Sequence, residues 1–140
     1  MYTTCPKKET TVDIIGMLSI HIPEVLSIES ASFEFPWSKD ELMRCLQQRN
    51  CISMIAETKK NRVTVGFMIY ELRKTMIRLP NFAVHPDWQR QSIGTQMMKE
   101  LILKLSAQKR KRIVVEVRET NLPAQLFLLK CGFKALNVIR

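Results

Sequence analysis

The chain has 140 residues, of which 46% are hydrophobic and 25% charged. This composition predicts one folded domain over residues 1–140 and excludes a disordered or fibrous protein. No stretch approaches the roughly 20 apolar residues of a membrane helix, and the polar start lacks the apolar run of a secretory signal. We therefore expect a cytoplasmic protein without a membrane partner.

Charge and cysteine content narrow the possible partners only in part. The net charge of +9 favours anionic partners, which include nucleic acid, ribosomes and a phosphate-rich cofactor. Cys5, Cys45, Cys51 and Cys131 show no C-x-x-C spacing, so a zinc site has little support and no metal is expected.

The first half of the sequence predicts one strand, two helices and a meander. A short strand over residues 12–17 precedes an amphipathic helix over 21–33. Ser38 and Glu41 have the spacing of a capping box, which predicts a second helix over 39–48. Three strand-like runs with short polar separators follow, at residues 51–57, 63–72 and 76–84. Pro80 lies within the third run, and because proline cannot donate to a sheet ladder we expect a bulge or break there.

The second half alternates helices and strands. Apolar residues with a period near 3.6 predict a long helix from about Ile93, which the basic run 109–112 is expected to close. A strand over 113–117, a helix over 121–130 and a strand over 133–139 complete the pattern. The order predicts an α/β fold with a mixed, mostly antiparallel sheet flanked by helices. In that sheet the third meander strand pairs in parallel with residues 113–117.

The segment 81–95 carries the clearest chemical signal. A strand ends there, a polar turn follows and a helix begins, so several N–H groups without an intrahelical partner converge where the helix dipole is positive. Ser92, Gly94 and Thr95 are small enough for a phosphate to approach, and Arg90 adds positive charge. The segment predicts a cradle for a pyrophosphate, and the alternative is an ordinary helix start.

In this segment the chain resembles the GNAT superfamily of N-acetyltransferases. Gln89-x-x-Ser92-x-Gly94 is similar to the acyl-CoA-binding loop Q/R-x-x-G-x-G/A of that family. The segment Glu-Phe-Pro-Trp-Ser at 34–38 and the segment from Val115 to Phe133 are similar to ribosomal-protein-alanine N-acetyltransferases. The resemblance implies the GNAT fold, acetyl-CoA as cosubstrate, and a protein or peptide N-terminus, ribosomal proteins included, as the acceptor.

The same resemblance implies roles for individual residues on the donor side. The backbone of Phe82, Ala83 and Val84 would pair with the pantetheine arm like an added strand. Asn121 would donate or accept a hydrogen bond near the thiol end. The loop that surrounds the pyrophosphate would consist of Arg90, Gln91, Ser92, Ile93, Gly94 and Thr95.

On the acceptor side, the resemblance implies that Glu116 is the general base that deprotonates the amine. Glu34, Pro36 and Trp37 would contact the acceptor. Simpler interpretations stay open for these positions: Glu116 also fits a solvated strand carboxylate, and the aromatic loop also fits a hydrophobic staple between two helices.

Three features depart from the family pattern. Leu128 stands where the family has a tyrosine that protonates the leaving thiolate, Ser92 replaces the first glycine of the loop, and Arg140 ends the chain before the family's closing strand. A truncated product and a partner chain that completes the sheet both explain the third departure.

These departures keep a second interpretation open, a CoA-binding protein of GNAT fold with little or no catalysis. A third interpretation, a basic nucleic-acid-binding module, lacks a supporting motif, so we expect no direct binding to nucleic acid. The sequence does not determine the oligomeric state.

Overall fold

The computed structural model describes residues 9–116 and 122–134. Within these ranges it has five strands and four α-helices, and no helix is both long and apolar enough to cross a membrane. The elements are β1 (Val12–Gly16), α1 (Ile22–Ser32), α2 (Lys39–Leu46), β2 (Cys51–Thr58), β3 (Thr64–Leu72), β4 (Met76–Val84), α3 (Ile93–Ala107), β5 (Arg112–Val115) and α4 (Leu122–Lys130).

The two helices that precede the meander begin where the sequence predicts. Pro23 lies in the first turn of α1, where its missing N–H costs nothing. At α2 the Glu41 N–H donates to Ser38 Oγ at 3.2 Å, and the Ser38 N–H donates to Glu41 Oε1 at 3.4 Å. The capping box is therefore confirmed, although α2 ends at Leu46, two residues before the predicted end.

The strands form one sheet in the order β1-β2-β3-β4-β5. The first four strands pair antiparallel as a meander, and β5 pairs in parallel with β4. The predicted irregularity at Pro80 is also confirmed, because Ile69 pairs with Asn81 while Glu71 pairs with Arg78. Two steps along β3 thus correspond to three along β4, which places a bulge in β4 beside Pro80.

Helices cover both faces of this sheet. On one face α3 packs on β3 and β4, and on the other face α1 and α2 pack on β2 and β3. The α3 face includes Val65, Met68, Tyr70, Ile77, Met97 and Leu101, and the α1 face includes Ile28, Leu42, Ile55, Phe67 and Ile69. From Phe67 to Tyr70 the side chains of β3 alternate between the two clusters, as the pleat requires.

Two expectations for the second half need correction. The basic run 109–112 does not close α3, which ends at Ala107; Lys109 adopts a left-handed φ of 55° in the turn that follows, and Arg112 begins β5. A turn with positive φ cannot continue the helix. Of the strand expected over 133–139, residues 133 and 134 are not in a strand, and the remainder lies outside the described residues.

Candidate functional site

A cleft opens beyond the last paired residues of β4 and β5. Their pairing runs from Met76 with Arg112 to Leu79 with Val115, whereas β4 continues to Val84. The resulting cleft has a volume of about 540 Å³. One side of the lining, the α1 wall, consists of Glu29, Ser32, Phe33, Glu34, Phe35 and Trp37. The other side, the α4 wall, consists of Met98 of α3 and of Ala124, Phe127 and Leu128 of α4. The remaining lining residues are Leu79 to Phe82 of β4, Val115 of β5 and Glu116, which follows β5. Because the two walls belong to opposite faces of the sheet, the cleft passes through it.

The bulge in β4 decides which side chains reach each wall. Leu79 and Phe82 are three residues apart, yet both contribute to the α3 face, which an unbroken strand would not allow. The bulge therefore turns Asn81 and Ala83 toward α1. The side chains of β4 on the α3 face are Ile77, Leu79, Phe82 and Val84.

Glu116, the expected base, lies directly after β5 and lines the cleft. Its side chain is 60% exposed, and its Oε1 lies 3.9 Å from Arg78 Nε. The same guanidinium donates from Nη1 to Glu71 Oε1 at 3.1 Å. Glu71 in turn accepts two hydrogen bonds from Arg73. Glu116 is thus a solvated carboxylate at one end of a series of charged side chains that continues through Arg78 and Glu71 to Arg73.

The three residues expected to contact the acceptor lie in the connection between α1 and α2. Glu34 and Trp37 line the cleft, whereas Pro36 is exposed and is not among the lining residues. Phe35, which is 67% exposed, lines the cleft as well. Trp37 also borders an adjoining open hollow of about 320 Å³, together with Arg44, Glu71 and Arg78.

Sequence reasoning missed two polar residues in this cleft, Glu29 and Asn81. Glu29 is 3% exposed and Asn81 is 6% exposed. Asn81 Nδ2 donates to Glu29 Oε2 at 2.9 Å, and the Trp37 N–H donates to Glu29 Oε1 at 2.9 Å. A signal was available, because Glu29 interrupts the apolar stripe of α1 beside Val25 and Ile28.

The start of α3 has the geometry of an anion site. Ser92 is its N-cap with φ 66° and ψ 11°, and Arg90 has φ 62°. The backbone hydrogen bond that opens the helix runs from the Gln96 N–H to the Ser92 carbonyl at 3.0 Å. The N–H groups of Ile93, Gly94 and Thr95 precede it and have no helical acceptor.

The loop before α3 is fastened from both sides. The Thr10 N–H donates to the Gln91 carbonyl at 3.0 Å, and the Thr10 hydroxyl donates to Gln91 Oε1. Gln89 Nε2 donates to the Val84 carbonyl at 3.2 Å. The side chain of Gln91, expected to bind the cofactor, is therefore directed to the segment before β1, and only its backbone remains for an anion.

Gly94 allows α3 to pack closely against Phe127 of α4. A Cβ at this position would lie 3.3 Å from Phe127 Cζ of α4 and 3.8 Å from Val84 Cγ2. Phe127 also contacts Phe82, with ring centroids 5.9 Å apart. The glycine thus brings α3 close to the α4 wall, and the helix start lies next to the cleft.

The remaining residues expected at the site fall into three groups. Phe82 lines the cleft, whereas Ala83 is 5% exposed and Val84 is half-buried. Leu128, at the position of the family's acid, lines the cleft. Asn121 lies outside the described residues.

The residues present fit an acyl-CoA donor. Free helix N–H groups suit a diphosphate, and the apolar strip from Val84 to Phe82 leads from that helix start toward the cleft. Within residues 9–116 and 122–134, no group of three or more His, Cys, Asp and Glu side chains could hold a metal ion.

Comparisons with known proteins identify the family of the chain. The model of the acetyltransferase (GNAT) family matches residues 22–133. The human cysteine-rich protein 2-binding protein is 31% identical over 129 residues, which are 92% of this chain but only 16% of that protein. The [ribosomal protein bS18]-alanine N-acetyltransferase of Escherichia coli K12 is 27% identical over 127 residues, 91% of this chain and 84% of the relative.

A solved structure extends the similarity to the fold. The crystal structure of the ribosomal-protein-S18-alanine N-acetyltransferase from Escherichia coli superimposes with a TM-score of 0.80 at 25% identity. The match covers 91% of this chain and 80% of that one. The mixed sheet with flanking helices is therefore the fold of the acyl-CoA N-acyltransferases.

Proposed function

We propose, because this chain belongs to the acetyltransferase (GNAT) family, that it transfers the acetyl group of acetyl-CoA to the N-terminal α-amine of a protein or peptide. A ribosomal protein is the first acceptor to test, since relatives with that activity cover most of this chain. The observation that carries the proposal is the cleft through the sheet, with Glu116 between its two walls.

The donor would be held on the α4 side of the sheet. The free N–H groups of Ile93, Gly94 and Thr95 would bind the diphosphate, with Arg90 adding positive charge. The backbone of Phe82, Ala83 and Val84 would hydrogen-bond the pantetheine arm, with the Val84 carbonyl already occupied by Gln89. Bound acetyl-CoA supplies a thioester whose carbonyl carbon accepts the nucleophile.

Glu116 would accept the proton of the acceptor amine. An N-terminal ammonium group has a pKa near 8, so a solvated carboxylate can deprotonate it directly or through one water molecule. The exposure of Glu116 lets the proton pass on to solvent. The amine would reach the cleft along the α1 wall, and the adjoining hollow beside Trp37 would hold the residues that follow.

The leaving thiolate would be protonated by water. Leu128 cannot donate a proton, and Tyr70 is buried in the core on the α3 face. A coenzyme thiol has a pKa of roughly 8.5, close to that of a free cysteine, so water is an adequate proton source. General acid catalysis typically contributes about 10²–10⁴-fold, so we expect a slow enzyme.

The proposal is tested by following free thiol after mixing the protein with acetyl-CoA and peptides. Peptides with a free N-terminus, the ribosomal S18 N-terminal sequence among them, should release thiol, and the same peptides with a blocked N-terminus should not. Glu116→Gln should lower kcat by about 10²–10⁴-fold without weakening acetyl-CoA binding by calorimetry. Glu24→Gln, an exposed carboxylate of α1, is the matched control.

Two results would overturn the proposal. Tight acetyl-CoA binding with no thiol release for any amine would identify a cofactor-binding protein without catalysis. Equal activity on free and blocked N-termini would exclude the α-amine as the acceptor.

A further inference from the structure

Glu29 is a buried carboxylate that the proposed chemistry does not use. It lies on the buried side of α1 with Val25 and Ile28, and it is 3% exposed although it lines the cleft. A buried ionised group is costly unless hydrogen bonds compensate it. No lysine or arginine in the described part of the chain forms an ion pair with it. Hydrogen bonds therefore offset the cost of burying this carboxylate.

Those hydrogen bonds join three separate segments. Glu29 Oε1 accepts the Trp37 N–H from the connection after α1, and Oε2 accepts Asn81 Nδ2 from β4, each at 2.9 Å. Because one carboxylate serves both donors, the position of Trp37 is tied to the strand that runs along the cleft.

The bulge in β4 makes this arrangement possible. The extra residue beside Pro80 turns Asn81 to the α1 face, where it pairs with Glu29. An unbroken strand would place Asn81 on the α3 face, together with Leu79, out of reach of α1. The sequence thus combines a proline, an amide and a buried carboxylate at one point of the cleft.

We propose that Glu29 is a positioning residue for the acceptor, which fixes the α1 wall opposite Glu116 through its hydrogen bonds to Trp37 and Asn81. This inference rests on the proposed acetyl transfer. It adds that Glu29 controls where the acceptor lies in that reaction. Glu29 acts through Trp37 and Asn81, so its effect on acceptor placement depends on the two hydrogen bonds that it accepts.

The test compares substitutions that remove the hydrogen bonds with one that keeps them. Glu29→Leu has similar bulk but accepts nothing, so we expect the acceptor KM to rise at least tenfold and kcat to fall, with the KM for acetyl-CoA within twofold of the wild type. Glu29→Gln still accepts the Trp37 N–H, and the Asn81 amide can turn over to accept from it. This variant should stay within threefold of the wild type.

A second pair of variants tests the contact itself. Asn81→Asp places two carboxylates against each other and should impair the acceptor kinetics, whereas Glu29→Gln combined with Asn81→Asp restores a donor facing an acceptor. The double variant should therefore be more active than Asn81→Asp alone, a non-additivity expected of residues in contact.

Amide hydrogen exchange provides a readout that needs no turnover. The Trp37 N–H should exchange at least tenfold faster in Glu29→Leu, while the Glu41 N–H, which donates to Ser38 Oγ, should be unchanged. If the wild type releases no thiol, the proposed function fails, and the exchange result still decides whether Glu29 fixes Trp37.

Three results would overturn the inference. Equal losses of activity in Glu29→Gln and Glu29→Leu would show that the charge itself is required. Unchanged acceptor kinetics and Trp37 exchange in Glu29→Leu would show that the hydrogen bonds position nothing. A joint rise of the KM values for donor and acceptor would indicate a general loss of structure.

Discussion

Trp37 in the α1 wall and Phe127 in the α4 wall are positioned by different kinds of contact. In the α1 wall, Glu29 accepts two directed hydrogen bonds that tie Trp37 to β4. In the α4 wall, the contacts that place Phe127 are apolar, through the ring of Phe82 and the bare face of Gly94. Directed bonds specify one geometry, whereas apolar contacts are non-directional and can be exchanged for others.

In the proposed reaction, this difference corresponds to different roles for the two walls, one binding the donor and the other positioning the acceptor. The apolar arm of a flexible donor would replace apolar contacts of the α4 wall. The acceptor amine would have to meet a defined atom, so the wall that presents it would gain from a fixed position. Thiol labelling, kinetics and stability measurements can test whether the α1 side is the more closed and rigid of the two.

The largest expected difference between the two sides concerns thiol reactivity. Cys51 lies on the α1 side at the start of β2, where burial, the hydrogen bond with Cys45 and the nearby charges raise the pKa of its thiol to about 12. Relative to the ordinary value of 9.0, its thiolate population at pH 8 falls roughly 1,000-fold. Alkylation followed by peptide mass spectrometry should show Cys51 reacting at least about 100-fold more slowly than in the unfolded chain.

Cys131, which follows α4, is the control on the other side. Burial raises the pKa of its thiol too, while Lys130 opposes that rise, so Cys131 should react faster than Cys51. Because the folded pKa of Cys51 is the higher one, its contribution to stability is complete below pH 9 and is lost as the pH rises toward 12. Equal labelling of both thiols would contradict a more closed α1 side.

The next largest effect tests whether the reaction is limited because Leu128 of the α4 wall cannot donate a proton. Leu128→Tyr places a phenol in the cleft, and if its hydroxyl reaches the leaving thiolate, kcat should rise by about 100-fold. Leu128→Phe adds the same ring without the hydroxyl and should leave kcat near the wild-type value. Steady-state thiol release measures both.

A rise in both variants would attribute the gain to packing of the α4 wall. No rise in either would mean that proton donation to the thiolate does not limit the rate, which would remove the reason for calling the enzyme slow.

A smaller effect tests how closely β3 packs against Ala83 of β4, the strand that lines the cleft. A Cβ at Gly66 of β3 would lie 2.9 Å from the Ala83 carbonyl oxygen and 2.9 Å from Met97 Sδ. Methionine can move but a backbone carbonyl cannot, so Gly66→Ala should lower the free energy of unfolding by about 2 kcal/mol and weaken acetyl-CoA binding by displacing Ala83.

Gly16→Ala is the matched substitution, since a Cβ there has nothing within 4 Å. Chemical denaturation should find it within about 0.5 kcal/mol of the wild type. Equal losses for the two variants would show that Ala83 does not constrain Gly66.

The fold was predictable from local patterns because its elements are locally encoded. The capping box at Ser38 and the irregularity at the proline of β4 follow from residue types at short spacing. The parallel return to β5 follows from the order of strands and helices along the chain. The error at 109–112 arose because a basic run satisfies both a helix end and the turn after it. Only the left-handed φ of Lys109 distinguishes the two.

The candidate site was predictable only where a motif is contiguous. The start of α3 is such a motif, and Glu34, Trp37 and Glu116 do line one cleft. The bond between Glu29 and Asn81 joins residues 52 positions apart, and it depends on the side-chain phase that the bulge sets. Single-sequence periodicity does not give that phase, so the hydrogen bonds of Glu29 became visible only in the structure.

The smallest effect concerns the strained residue at the start of α3. Ser92 holds a φ of 66°, a region that costs a residue with a Cβ about 1 kcal/mol, and its side chain makes no capping hydrogen bond. Ser92→Gly should therefore raise the free energy of unfolding by about 0.5–1 kcal/mol. Ser106→Gly, the same substitution within α3, should lower it by a similar amount.

The donor KM then shows what the strain does for function. The loop is already fixed by Thr10 and Gln89, so relieving the strain at Ser92 should leave the N–H groups of Ile93 to Thr95 in place and acetyl-CoA binding within twofold of the wild type. A large loss of donor affinity in a more stable Ser92→Gly protein would mean that the serine hydroxyl itself contacts the diphosphate.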